Sequence, residues 1–149
     1  MAYIKKTWRT GKVVEVEKSH TGRYGAPGQK RTPKGKPTKE QIKKQNERNA
    51  QKKLRRLINA NFTEDDLHLI LTYRVDCRPD PEGARKHLRK FLDKLRGKYR
   101  KSGTELKYIV ATEWKSKAIH HHLIVNRTED GDKLIRELWQ WGRPRFVLL

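Results

Sequence analysis

The stretch Tyr108-Ile-Val-Ala-Thr-Glu-Trp-Lys-Ser-Lys-Ala-Ile-His-His-His-Leu-Ile-Val-Asn126 decides how this chain folds. Two β-rich runs, Tyr108 to Glu113 and Ala118 to Asn126, flank the polar break Trp114 to Lys117, the pattern of a hairpin with a four-residue loop. That loop length sets Glu113 opposite Ala118, Ala111 opposite His120 and Ile109 opposite His122, so Glu113, His120 and His122 share a face. Alternate residues of a strand stand roughly 7 Å apart, close enough for two imidazoles and a diagonal carboxylate to converge on one cation. The other face, Ile119, His121, Leu123 and Val125, is mostly apolar and is expected in the core. A lone histidine in such a place is more often a polar strand end. The alternate pair with a carboxylate on the same face is what points to a metal.

Working upstream, Leu67 to Arg74 is apolar on both faces near its centre, as an interior strand must be. Asp80 as N-cap, Pro81 at the first helical position and Glu82 in the first turn open a helix. Ala84, Leu88, Phe91, Leu92, Leu95 and Tyr99 form its apolar stripe, and Ser102-Gly103 ends it. Downstream of the hairpin, Asp130 or Asp132 caps a shorter helix bearing Leu134, Ile135, Leu138 and Trp139. Gly142 and Pro144 break that helix, and Arg145 to Leu149 closes as a strand. The order β-α-β-β-α-β predicts an α+β fold of the ferredoxin-like, RRM-like split type: an antiparallel sheet with both helices on one face. The open face is then the place for the polar site.

The first third is different in kind. Residues 1–60 carry 18 Lys and Arg against 4 acids, a net of +14, and residues 61–149 carry 19 against 13, a net of +6. Residues 1–37 read as a basic, largely flexible arm, with a short exposed strand at Val13 to Glu17 and a Gly/Pro-rich stretch after it. Thr38 and Gln41 make a capping box for a basic helix over 38–60, whose C-terminal part alone has enough apolar residues to dock. Residues 61–149 form the third region. A net charge of +20 predicts a polyanionic partner, nucleic acid before membrane, through Arg23, Lys30, Arg31, Lys34, Lys36, Lys52, Lys53, Arg55 and Arg56. A run of such charges is also commonly a solvated face. No run of eighteen apolar residues and no secretory leader is visible, so a cytoplasmic location is expected. The single cysteine, Cys77, rules out an intramolecular disulfide.

With these residues in hand, the chain resembles the HUH endonucleases, specifically the rolling-circle replication initiators (Rep proteins) of bacterial plasmids and phages. Leu69-Ile70-Leu71-Thr72-Tyr73 looks like their first motif strand, and Ile119-His120-His121-His122-Leu123-Ile124 looks like their His-hydrophobic-His motif. Glu113 falls where the family carries its third metal ligand, while His121 departs from the hydrophobic middle position. The resemblance implies a divalent cation, Mn²⁺ or Mg²⁺, on Glu113, His120 and His122, and single-stranded DNA at a replication origin as substrate. Host replication proteins are the further partners it implies. It also implies attack by a tyrosine that leaves a phosphotyrosyl bond. No tyrosine follows Tyr108, so the chain reads as an N-terminal fragment inactive for covalent nicking, with Tyr24 as a permuted candidate nucleophile. Two alternatives share features with this reading. A two-His-one-carboxylate set also serves non-haem iron oxygenases, which the basic charge disfavours. A metal-free nucleic-acid-binding module of RRM-like fold shares sheet and charge, and would need exposed aromatics on the sheet.

Overall fold

The computed structural model describes residues 3–20, 35–114 and 118–149. The chain divides into two compact units, 1–61 and 62–149.

In the first unit, β1 (Ile4–Thr10) pairs antiparallel with β2 (Val13–Ser19), and α1 spans Lys39–Asn61. β1 and the length of this hairpin go beyond the sequence expectation, which placed a short strand at Val13 to Glu17 inside a flexible arm. Thr10 faces Val13 across the two-residue connection Gly11-Lys12, and Gly11 holds φ 57 while Lys12 keeps a negative φ. This is the glycine-first turn that matches strand twist. A Cβ on Gly11 would come within 2.1 Å of the Asn59 carbonyl oxygen, so glycine is also what lets the turn approach α1. The rest of the arm, 21–34, which contains Arg23, Tyr24, Lys30, Arg31 and Lys34, lies outside the described residues.

The expected capping box opens α1: the Thr38 N–H donates to Gln41 Oε1 at 2.9 Å and the Gln41 N–H to Thr38 Oγ1 at 3.2 Å. No residue of α1 is buried. The helix meets the hairpin through charge instead of a core. Arg56 lies over the Trp8 ring at 3.6 Å and donates through Nε and Nη2 to Glu15 at 3.3 and 2.8 Å. Arg55 reaches the same carboxylate at 2.9 Å, and Lys52 pairs with Glu17. The Arg56 hydrogen bonds, before all else, hold the Glu15 carboxyl at about 2.

The second unit is a ferredoxin-like α+β fold. β3 (Leu67–Thr72), β4 (Tyr108–Glu113), β5 (His120–Val125) and β6 (Pro144–Leu148) form one antiparallel sheet in the order β4-β5-β3-β6. Two helices accompany it, α2 (Pro81–Lys101) and α3 (Gly131–Leu138). Asp80 caps α2 as expected, accepting from the Gly83 N–H at 2.9 Å. The core is built from Leu67, Leu69 and Leu71 of β3, Leu123 and Val125 of β5, and Ala84, Phe91, Leu92, Leu95 and Tyr99 of α2. Ile135 and Trp139 close it from the α3 side, and the Trp139 indole donates to the Thr72 carbonyl at 2.9 Å. The chain returns to β6 through Gly142, where a Cβ would stand 1.9 Å from the Thr72 carbonyl oxygen. Only glycine permits that crossing. Cys77 ends a short 3-10 turn, where its Sγ lies 3.3 Å from Arg74 Nη2.

One expectation about the hairpin is corrected. β4 stops at Glu113 and β5 begins at His120, so Glu113 stands opposite His120, Ala111 opposite His122 and Ile109 opposite Ile124. The ladder is two residues out of the register that a four-residue loop would set. Because side chains alternate with a period of two, a two-residue slip leaves every residue on its original face, whereas a slip of one would have reversed them all. The observed register also places Thr112 opposite His121, which gives that buried imidazole a hydrogen-bonding partner.

Candidate metal centre

The open face of the sheet is defined by the register. Reading across β6, β3, β5 and β4, one row is Arg145, Ile70, His122 and Ala111, and the next is Val147, His68, Ile124 and Ile109. The row on the other side holds Thr72, His120 and Glu113. Every one of these has a core-facing neighbour in sequence, so the strand alternation alone aims them outward.

Glu113, His120 and His122 converge there, with one ligand atom from each lying within 4.8 Å of the others. Glu113 Oε2 is 3.3 Å from His120 Nε2 and 3.7 Å from His122 Nε2. Ligands each about 2.1 Å from one cation, at tetrahedral to octahedral angles, stand roughly 3.0–3.5 Å apart. The two Glu113 contacts are at or near that spacing, and the set as a whole, within 4.8 Å, would draw in by about 1 Å to hold an ion. The remaining ring nitrogens are engaged as metal-binding histidines require. His120 Nδ1 is 3.1 Å from the Ala118 carbonyl oxygen, which can only accept, so Nδ1 carries a proton and Nε2 is the atom that faces Glu113 and would meet a cation. His122 Nδ1 is 3.3 Å from His68 Nε2, and those rings are nearly parallel at 12°. Burial, and then the neighbouring His122, lowers the pKa of His68. His68 was not among the residues singled out from the sequence. The signal available was parity: it lies an even number of residues from Ile70 and Thr72 on a strand whose other face is core.

His121, the middle residue of the triplet, belongs to the opposite face and is fully buried. Its Nε2 is 3.0 Å from the Tyr73 hydroxyl and its Nδ1 is 2.8 Å from the Thr112 hydroxyl. One hydroxyl donates to the ring and the other accepts from it, so both nitrogens of a neutral imidazole are satisfied. Desolvation, with His120 and His87 adding to it, brings the pKa of His121 down to about 4. A polar side chain thus fills the expected apolar position because two hydroxyls are already there to meet it. Trp139 packs edge-on against the ring at 5.8 Å.

Tyrosines in the second unit do not reach the open face. Tyr73 is buried against His121, and burial raises its pKa. Tyr99 is buried and donates to the Asn126 carbonyl at 2.7 Å. Tyr108 pairs with Val125, a core-facing residue, and so lies on the helix side. Tyr24 lies outside the described residues. Of the basic residues proposed for DNA, Lys52, Arg55 and Arg56 are in the ion pairs that hold the hairpin to α1, while Lys36 and Lys53 are exposed. Among the described residues no helix is long and apolar enough to cross a membrane.

Residues 66–148, more than half of the chain, match a family model that describes replication-associated proteins of the ORF2 type. No curated protein and no solved structure matches.

Proposed function

Because this chain belongs to the family of replication-associated proteins of the ORF2 type, we propose that its second unit is a metal-dependent single-stranded DNA endonuclease of the HUH type, acting at a replication origin. The observation that carries this is the convergence of Glu113, His120 and His122 on the open face of the sheet, inside the matched segment.

Those three residues would hold one divalent cation, Mn²⁺ or Mg²⁺. Its chemistry is charge neutralisation on a phosphate oxygen, which makes phosphorus more open to attack. The protein's own part is to present the strand. Beside the triad, Ile70, Ala111, Ile124 and Ile109 add apolar side chains to rows that also carry His68 and Arg145, a surface for sugar and base edges. Arg145 stands two strands from His122 in the same row. Strands are about 4.8 Å apart, so its long side chain reaches a phosphate next to the one being cut. The attacking hydroxyl is not that of Tyr73, Tyr99 or Tyr108, which are on the other side of the sheet. Attack by a tyrosine oxygen on the scissile phosphorus would form a phosphotyrosyl bond to the 5′ side as the P–O3′ bond breaks and the 3′ oxygen leaves as a hydroxyl, conserving the bond energy for rejoining.

A metal-free module that stacks bases on its sheet is the competing reading, and it has no support on this face. Among the described residues the only rings in its rows are histidines. The discriminating test is binding of a labelled single-stranded oligonucleotide with Mn²⁺, with chelator, and with His120→Ala and Arg145→Ala. Mn²⁺-dependent tightening that both substitutions reduce is expected. Equal affinity in chelator, unaffected by His120→Ala, would replace the endonuclease with the binding module. A denaturing gel of the same mixtures tests the covalent step: a protein-linked band that is lost in Tyr24→Phe would make Tyr24 the nucleophile.

A further inference from the structure

His68 stands one strand away from the metal ligands and contributes no donor atom to the triad. Its ring is nonetheless the group that meets His122 Nδ1. It lies on β3 in the row between Val147 and Ile124, one step along the sheet from the row of His122. Its Nε2 is 3.3 Å from His122 Nδ1, the rings lie 12° from parallel, and their centroids are 5.5 Å apart.

A neutral imidazole carries one N–H, so one of the two rings donates in this contact and the other accepts. If His68 donated, the proton of His122 would have to sit on Nε2, the atom 3.7 Å from Glu113. That atom would then have no lone pair to give a cation. If His122 donates from Nδ1, its Nε2 is bare and aimed at Glu113, as Nε2 of His120 is when Nδ1 faces the Ala118 carbonyl. The two ligands are thus set by different acceptors, a carbonyl oxygen for one and an imidazole for the other. Resting on the metal-site reading above, we propose that His68 is a positioning residue that accepts the Nδ1–H of His122 and fixes the ring and tautomer with which His122 binds the cation. Val147 and Ile124 flank His68 in the same row of the sheet.

Partners of this kind, when lost, typically weaken metal binding 10- to 100-fold. The test uses the full chain, with Mn²⁺ titrated calorimetrically into wild type, His68→Leu and His68→Gln. The glutamine carbonyl stands near the position of Nε2 and can accept, while leucine fills the volume and cannot. His68→Leu is expected to lose affinity about 10- to 100-fold, and His68→Gln to recover most of it. In the metal-free wild type, long-range ¹H–¹⁵N spectra should show His122 protonated on Nδ1, with the Nε2–H form gaining population in His68→Leu. Unchanged Mn²⁺ affinity in His68→Leu, a glutamine variant as weak as the leucine one, or an Nε2–H His122 in wild type would each overturn the assignment. Should wild type bind no Mn²⁺, the metal site itself fails, and the tautomer of His122 still decides the role of His68. If His68→Leu does not fold, the glutamine variant and the wild-type spectrum decide it.

Discussion

Replacing His121 by leucine converts a buried, hydrogen-bonded imidazole into an apolar side chain, and the outcome depends on pH in a calculable way. A free imidazole protonates near 6.5, whereas His121 holds off its proton to about 4, chiefly because burial penalises the charged ring. The unfolded chain therefore binds a proton that the native state refuses. Since the folded pKa is the lower one, the stabilisation is fully present above 6.5 and is lost as pH falls from 6.5 through 4. At 1.36 kcal/mol per pH unit, that window is worth ~3 kcal/mol. His121→Leu has no such proton to refuse. At pH 7 the variant is less stable, because the Tyr73 and Thr112 hydroxyls lose the partners they meet at 3.0 and 2.8 Å, each costing about 1–3 kcal/mol before the gain from burying leucine. Going to pH 4, the gap between wild type and variant should shrink by ~3 kcal/mol, and groups common to both cancel. Urea unfolding with tryptophan fluorescence reads this out, since Trp139 is buried 5.8 Å from the His121 ring. A gap of the same size at pH 7 and pH 4 would refute a neutral, buried His121.

Gly142→Ala should destabilise the second unit by about 1–3 kcal/mol or more, because its Cβ would overlap the Thr72 carbonyl at 1.9 Å; an unchanged melting temperature would contradict the close crossing. Glu15 is held at about 2 against an ordinary 4.5, first by its hydrogen bonds from Arg56. The hairpin's attachment to α1 should accordingly be intact above pH 4.5 and be lost as pH falls through 2, followed by the emission of Trp8 beneath Arg56 in a chain whose other tryptophans are replaced by phenylalanine. For DNA, Lys36→Gln with Lys53→Gln, both exposed candidates, should lower the slope of log affinity against log salt by about 0.7 for each phosphate contact removed. An unchanged slope would move strand binding away from Lys36 and Lys53.

The architecture of the second unit was legible because its signals are periodic and local: the Asp80-Pro81 start, the α2 stripe and the alternation around His120 to Val125 each specify one element. The facing of Glu113, His120 and His122 was legible because the register error was an even number of residues, and parity survives an even slip. Register was not, because it is settled by cross-strand partners such as Thr112 with His121, which no single strand reveals. His68 was missed because its role is defined only when β3 is laid beside β5. In the first unit, β1 alternates weakly, with Lys5, Lys6 and Arg9 among its residues. The cue that was available is Gly11-Lys12 followed by Val13. The basic residues near the end of α1 read as a DNA surface, yet Glu15 and Glu17 meet several of them across the unit, a long-range pairing that composition does not carry.

The most direct test of the centre is Mn²⁺-dependent thermal stabilisation of wild type, Glu113→Ala, His120→Ala, His122→Ala and His121→Leu. At a free Mn²⁺ concentration 100 times the dissociation constant, binding to the native state alone adds about 2.7 kcal/mol. Wild type and His121→Leu should both show that gain relative to their own metal-free melts, and His120→Ala and His122→Ala should lose it, with Glu113→Ala strongly reduced. Stabilisation of His120→Ala equal to wild type, or its loss in His121→Leu as complete as in His120→Ala, would contradict a cation held by Glu113, His120 and His122.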